Sequence, residues 1–390
     1  MSSGERTPLL LLTLSIAAVG IQALMLSPLL TDIAAGLGTQ AKEIGFAASA
    51  YGVGVASAAL LAAPQLGRWP KRAAIRIAFA VLAVSLFLCA FAWDWRVLAG
   101  AQLIAGLASG VIIPATYALT GDLAPPDRRS QDLGKVLFGW SIAMVAGVPL
   151  AAVLSAFVGW RGTFLIVGAV AAIMPFAGAL LPKVASFGTV GERVRYMDVL
   201  RLPGAWVGYL STFAYMIAFY QTYTFIGDHV RQTHGAGAWL GGTISLAYGI
   251  GFGVGVVFDK WIDRKGPTRM LPFGLALVSI NYVVLPLAAE QVLTVMAWPF
   301  FWGLANHFCM TVLVSYMNSL SPRLRGTIMG LFSFTTYFSL GTAGAVYGPV
   351  YQSHGFFAVS LASAATVAVA ALIALRRSLS VSPGSPPLPR

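Results

Sequence analysis

Pro126-Asp127-Arg128-Arg129 and, 196 residues further on (126 to 322), Pro322-Arg323-Leu324-Arg325 occupy the same kind of place, a short basic loop between two long apolar runs. The same offset relates Asp32 to Asp228, Gly67-Arg68 to Asp263-Arg264, and Gly159-Trp160 to Gly355-Phe356. Four anchors in one register without a gap mark a duplicated chain. Each copy holds six apolar runs, an even number, so both halves enter the membrane from the same side. That is the parallel kind of repeat, related by an axis along the membrane normal.

The runs themselves set the class. Hydrophobic residues are 58% of the 390 and charged residues 10%, where a soluble domain carries roughly 25% charged. Runs of about 20 apolar residues, each long enough to cross a hydrocarbon core, are read at 8–30, 43–66, 74–92, 97–120, 135–157, 163–182, 205–227, 238–258, 270–288, 292–317, 327–349 and 356–375. They do not alternate as barrel strands would. The expectation is an all-α polytopic membrane protein of twelve transmembrane helices, built as two parallel six-helix repeats. One bundle is expected over 1–182 and the other over 205–377, with a cytoplasmic linker at 183–204 and a disordered tail at 378–390. No small-residue cleavage pattern follows the first run, so it is read as a retained helix.

A net charge of +12 raises the question of nucleic acid, and its placement answers it. With twelve spans, 21 of the 25 Lys and Arg fall in the loops and ends on one side, and Lys42, Arg96, Arg161 and Arg231 on the other. This is the positive-inside bias. It predicts an inner (plasma) membrane protein with cytoplasmic N- and C-termini and no nucleic-acid partner. Cys89 and Cys309 both fall inside apolar runs and read as packing residues, not a disulfide or metal pair.

Loop 8–9 reads Asp259-Lys260-Trp261-Ile262-Asp263-Arg264-Lys265-Gly266, and loop 2–3 reads Gly67-Arg68-Trp69-Pro70-Lys71-Arg72. These resemble the Gly-x-x-x-Asp-Arg-x-Gly-Arg-Arg loops of the major facilitator superfamily. Asp259 replaces the first glycine, and Gly67 replaces the acid in the first copy. In the fifth span, Gly139 and then Gly147-Val148-Pro149 resemble the signature of its drug and sugar efflux branch, as do Pro28-Leu29-Leu30-Thr31-Asp32 and Ser49-Ala50-Tyr51 for arabinose-efflux-type members. That resemblance implies secondary transport of a small-molecule substrate through a site between the halves, without a cofactor or metal, and with protons as a candidate exchange partner. The chain departs from the branch at two positions: Gln102 stands where a fourth-span arginine is usual, and Gln22 where a first-span acid is. Both departures count against carboxylate-based proton exchange.

An ionisable group in a bilayer costs at least about 2.5–3.5 kcal/mol, so a deep one is a functional candidate. His307 is the one placed deep, beside Asn306, and is the proton-coupling candidate; its alternative is a neutral ring bonded to a neighbouring helix. Gln22, Tyr51, Gln102, Tyr215, Gln221, Tyr248, Asn281, Trp302, Asn306 and Tyr337 are the expected cavity lining. Tyr209 and Tyr223 are read as interfacial belt aromatics. Arg68, Lys71, Arg72, Asp263 and Arg264 either fix topology or latch the cytoplasmic end. Gly139, Gly147 and Pro149 either pack helices closely or bend the fifth span.

No His-Glu-x-x-His run, phosphate-cradling loop or nucleophile motif is present, so an enzyme is not expected. The reading is an exporter of a drug, sugar or metabolite, working as a monomer among membrane lipid; an uptake or diffusion permease without proton coupling is the alternative.

Overall fold

A computed structural model describes residues 3–62, 70–124, 129–182, 196–321 and 324–380. Among these there are helices and no strand. Nine stretches are long and apolar enough to cross a bilayer. Two of them, Asp132–Leu180 and Thr327–Ser380, each hold two spans, because the chain reverses at Gly159 and Gly355. Tyr351 meets Asp228 near one end of the seventh span, whereas Arg377 packs beside Gly204 at its other end. Ala205–His234, the seventh span in chain order, completes the twelve; its tyrosines, threonines, Asp228 and Arg231 lower its hydropathy.

The two reversals are the clearest structural trace of the duplication. Gly159 (φ 71°, ψ 170°) and Gly355 (φ 73°, ψ −175°) share one backbone conformation that is essentially restricted to glycine. Each is followed by a buried aromatic, Trp160 or Phe356, that starts the next span. The loop pair 126–129 and 322–325 falls largely outside the described residues.

Local chemistry explains where the helices depart from simple runs. The first span is two helices, Ser3–Leu24 and Leu26–Gly36. Pro28 has no N–H for the Leu24 carbonyl, so one uninterrupted helix over 8–30 cannot hold there. In the fifth span, Arg129–Ile142 passes through a π turn, Ala143–Gly147, into Val148–Ala177. Pro149 again removes a donor, and the π turn absorbs the mismatch. The eighth span, Ala238–Val254, gives way to a 3-10 turn, Gly255–Phe258, and a short helix, Asp259–Lys265. Cys89 and Cys309 are both free and buried.

Candidate functional site

A set of hydrogen bonds and an ion pair joins the two halves at one end of the bundle. That end holds the turns after the first, fifth, seventh and eleventh spans. Asp32 pairs with Arg231 at 2.6 Å and accepts a long bond from Ser155 within its own half. Asp228 is buried: one carboxylate oxygen accepts from Thr31 across the seam at 2.7 Å, and the other from Gln232 at 2.8 Å and Tyr351 at 2.6 Å. The repeat-related Ser27 and Tyr223 meet directly, the Ser27 hydroxyl donating to the Tyr223 carbonyl. Gln40 and Gln352 join their side-chain amides, and the Ser49 hydroxyl accepts from the Ala345 backbone at 2.9 Å.

Small residues let the backbones meet along this seam. A methyl on Gly344 would strike the Gly45 carbonyl, and one on Gly52 the backbone of Gly341. Gly242 packs on Pro149 and Ala152, and Gly249 on Met144 and Val145 of the π turn. Gly139 and Gly147 serve the N-terminal half instead, seating Thr13 and Ile21 of the first span.

Polar and aromatic side chains fill the middle of the molecule. Trp302, fully buried, is the hub of the C-terminal half: Tyr248 at 5.0 Å, Phe219 at 5.8 Å, Tyr282 at 6.0 Å and Tyr223 at 6.5 Å surround its ring. Tyr215 donates to the Asn306 carbonyl at 3.0 Å, and the buried Asn306 side-chain amide faces the Tyr248 side chain. Tyr51 and Tyr337 are buried on the second and eleventh spans, whose backbones meet at Gly52 and Gly341. Gln22 and Gln102 are bonded to each other at 2.7 Å and buried. A titratable pair lies at the side of this region, His307 Nε2 being 3.1 Å from the Asp259 carboxylate. Gly255 makes that pair possible, since a side chain there would overlap the His307 ring.

The sequence matches the profile of the Major Facilitator Superfamily over residues 12–345. The chain belongs to that superfamily. It is 29% identical to the MFS-type transporter YwfA of Bacillus subtilis, over 92% of this chain and 89% of that protein. A "Chloramphenicol resistance protein" of Streptomyces lividans is 26% identical, covering 94% of this chain and 95% of its own length. A "Probable sugar efflux transporter" of Pasteurella multocida is 25% identical, over 86% and 83%. Among solved structures, a bacterial homologue of the lysosomal transporter Spinster, inward-facing and unoccupied, superposes with a TM-score of 0.78 over 98% of this chain and 100% of its own, at 16% identity. At that identity the likeness speaks for the fold. The protein is thus a multi-pass membrane transporter of this superfamily.

Within this superfamily member, the residues expected to line one cavity divide into separate groups. Tyr215, Tyr248, Trp302 and Asn306 gather in the C-terminal half, Gln22 and Gln102 pair in the N-terminal half, and Tyr51 and Tyr337 sit on the two spans that meet at the seam. Gln221 turns away to the Ser363 hydroxyl on the twelfth span. Asn281 donates to the Leu277 carbonyl of its own helix.

Tyr209 and Tyr223 are not belt residues. Tyr223 is buried with its hydroxyl 2.7 Å from Ser245, and Tyr209 donates to the Ile328 carbonyl. The seventh helix runs on to His234, so Tyr223 is interior.

Lys71 pairs with Asp122 at 2.7 Å and Arg72 donates to the Ala179 carbonyl at 2.6 Å, both inside the N-terminal half. Arg264 is exposed, and the side chains of Arg68 and Asp263 lie outside the described residues. The seam network of Asp32, Asp228 and Arg231 was missed as a site. Its signal was present in the matched aspartates at one offset, which read as ancestry and not as contact.

Proposed function

We propose that this protein exports a small, uncharged or zwitterionic organic solute by rocking one six-helix half against the other. The observation that carries the reading is the one-sided seam, bonded at the end away from the basic loops, together with a neutral aromatic and amide interior behind it. The positive-inside bias assigns the bonded end to the outside, which on this reading leaves the cytoplasmic side as the side of entry. A cargo entering from the cytoplasm would meet Asn306, Trp302, Tyr248 and the Tyr51–Tyr337 region. Asn306 offers an amide acceptor and donors beside Tyr248, and aromatic faces accept rings or sugar planes. The relatives named for sugar efflux and chloramphenicol resistance support export and bound the cargo class.

His307 with Asp259 is the proposed proton-carrying group, since the imidazole and the carboxylate lie 3.1 Å apart and both are groups that can carry a proton. A second reading, a permease indifferent to protons, is favoured by the neutral Gln22–Gln102 pair. Counterflow of radiolabelled chloramphenicol, and separately of a hexose, in proteoliposomes with an imposed pH gradient distinguishes the two. Proton exchange predicts gradient-driven accumulation that His307→Ala abolishes; uptake equal with and without the gradient, and unchanged in that variant, removes it. Absence of counterflow for every neutral solute would overturn the cargo class itself.

A further inference from the structure

A groove whose walls include the exposed aromatics Phe258, Trp261 and Phe273 lies on the C-terminal half. It encloses about 440 Å³ and is walled by Phe258 and Trp261 after the eighth span, Phe273 and Leu277 of the ninth, and Leu304 and Phe308 of the tenth. Its rings hold one another in place, with Trp261 at 5.9 Å from Phe273 and 5.7 Å from Phe308, and Phe273 edge-on to Phe308 at 5.7 Å. An exposed apolar surface is ordinary in a membrane. What distinguishes this one is how its walls end.

Along one wall, Phe258, Trp261 and Lys265 follow at steps of three and four residues. Along the other, Arg269, Phe273 and Leu277 follow at steps of four, which places them on one face of the ninth helix, Pro267–Ala288. Both walls therefore pass from aromatic side chains to a cation, and at the same end of the bundle. Lys265 and Arg269 are exposed, and neither takes part in an ion pair among the described residues.

We propose that this groove binds one anionic phospholipid from the leaflet on the basic-loop side. An acyl chain lies against Phe258, Trp261, Phe273 and Phe308, and the headgroup phosphate lies between Lys265 and Arg269. Basic pockets between helices at this depth suit such headgroups, with each cation favouring an anionic lipid by about fivefold. The aromatic walls account for the chain and the two cations for the charge, a match that neither a neutral cargo molecule nor a zwitterionic lipid makes as fully. Asp259 opens the short helix that carries Lys265, so an occupied groove steadies the acceptor of His307.

Native mass spectrometry of the full-length protein from mixed phosphatidylcholine and phosphatidylglycerol micelles tests this. The expected result is one retained phosphatidylglycerol, lost in the K265Q/R269Q double variant through roughly thirtyfold weaker binding. R201Q/R376Q, with the same change in net charge, keeps the lipid. Equal retention of phosphatidylcholine, or equal loss in the control pair, overturns the proposal. Should K265Q/R269Q not fold, phosphatidylglycerol with brominated chains provides an independent readout. It must quench wild-type fluorescence more than that of Trp261→Phe, and equal quenching overturns the proposal.

Discussion

At the scale of single residues, the seam depends more on Asp228 than on the more obvious ion pair. Asp32 and Arg231 are each about a quarter exposed, and such a pair contributes roughly 0.2–1 kcal/mol. Asp228 is buried and accepts three hydrogen bonds, and bonds to a charged group are stronger, about 1.5–3 kcal/mol each. Asp228→Asn puts an amide N–H where an acceptor is needed. The bonded end should then loosen, seen as a longer and broader distance between spin labels at residues 40 and 352, whereas Arg231→Gln should change that distance less. Equal effects would contradict this ranking.

The buried Gln22–Gln102 pair makes a second residue-scale prediction. Gln22→Leu or Gln102→Leu leaves one amide without its partner and should cost about 1–3 kcal/mol. The double substitution should cost less than the sum, as for directly bonded partners. Thermal unfolding in detergent measures it, and strict additivity would refute the bond. Both glutamines were legible in the sequence as departures from the efflux pattern. Their pairing was not, because it depends on how two helices are rotated about their axes, which no spacing within one helix reports. Gln221 shows the same limit: it shares a helix with Tyr215 yet faces Ser363.

At the scale of elements, glycines on the second and eleventh spans set how closely the halves approach. Gly344→Ala places a methyl against the Gly45 carbonyl, a backbone atom that cannot yield as a side chain would. It should separate the two spans and lower transport at least about tenfold, a barrier change of ~1.4 kcal/mol. Gly330→Ala, on the same helix with nothing nearby, should transport like the wild type. Counterflow rates of the two variants decide it, and similar losses would show that helix propensity and not packing matters. The apolar runs disclosed that these helices exist, and Gly147-Val148-Pro149 disclosed that the fifth would be irregular. The length of the seventh was hidden by its own polar residues. Tyr223 looked terminal because Asp228 and Arg231 read as loop, when Asp228 is buried and satisfied by partners from other spans.

At the scale of the whole molecule, the duplication was the most legible feature, since an offset survives in sequence even where the fold is not known. Gly159 and Gly355 confirm it through a shared backbone conformation. The sidedness of the seam was not legible, because it depends on how two halves are set against each other, which no spacing within either half reports. Under the proposed rocking mechanism, two matched halves bonded at one end would have a second state bonded at the other. Gln40 and Gln352 touch in the described state, so Q40C/Q352C closed by a short thiol cross-linker should stop counterflow, and reduction of a cleavable linker should restore it. Continued transport by the cross-linked protein would mean that the halves need not part there.

The most direct test follows two distances in one preparation by double electron–electron resonance. One label pair is placed at residues 40 and 352 on the bonded end, the other at residues 61 and 319 on the unbonded end, in reconstituted protein. Alternating access predicts that conditions which drive turnover lengthen the first distance and shorten the second together, in the same fraction of molecules. Two distances that never change, or that lengthen in concert, would contradict it.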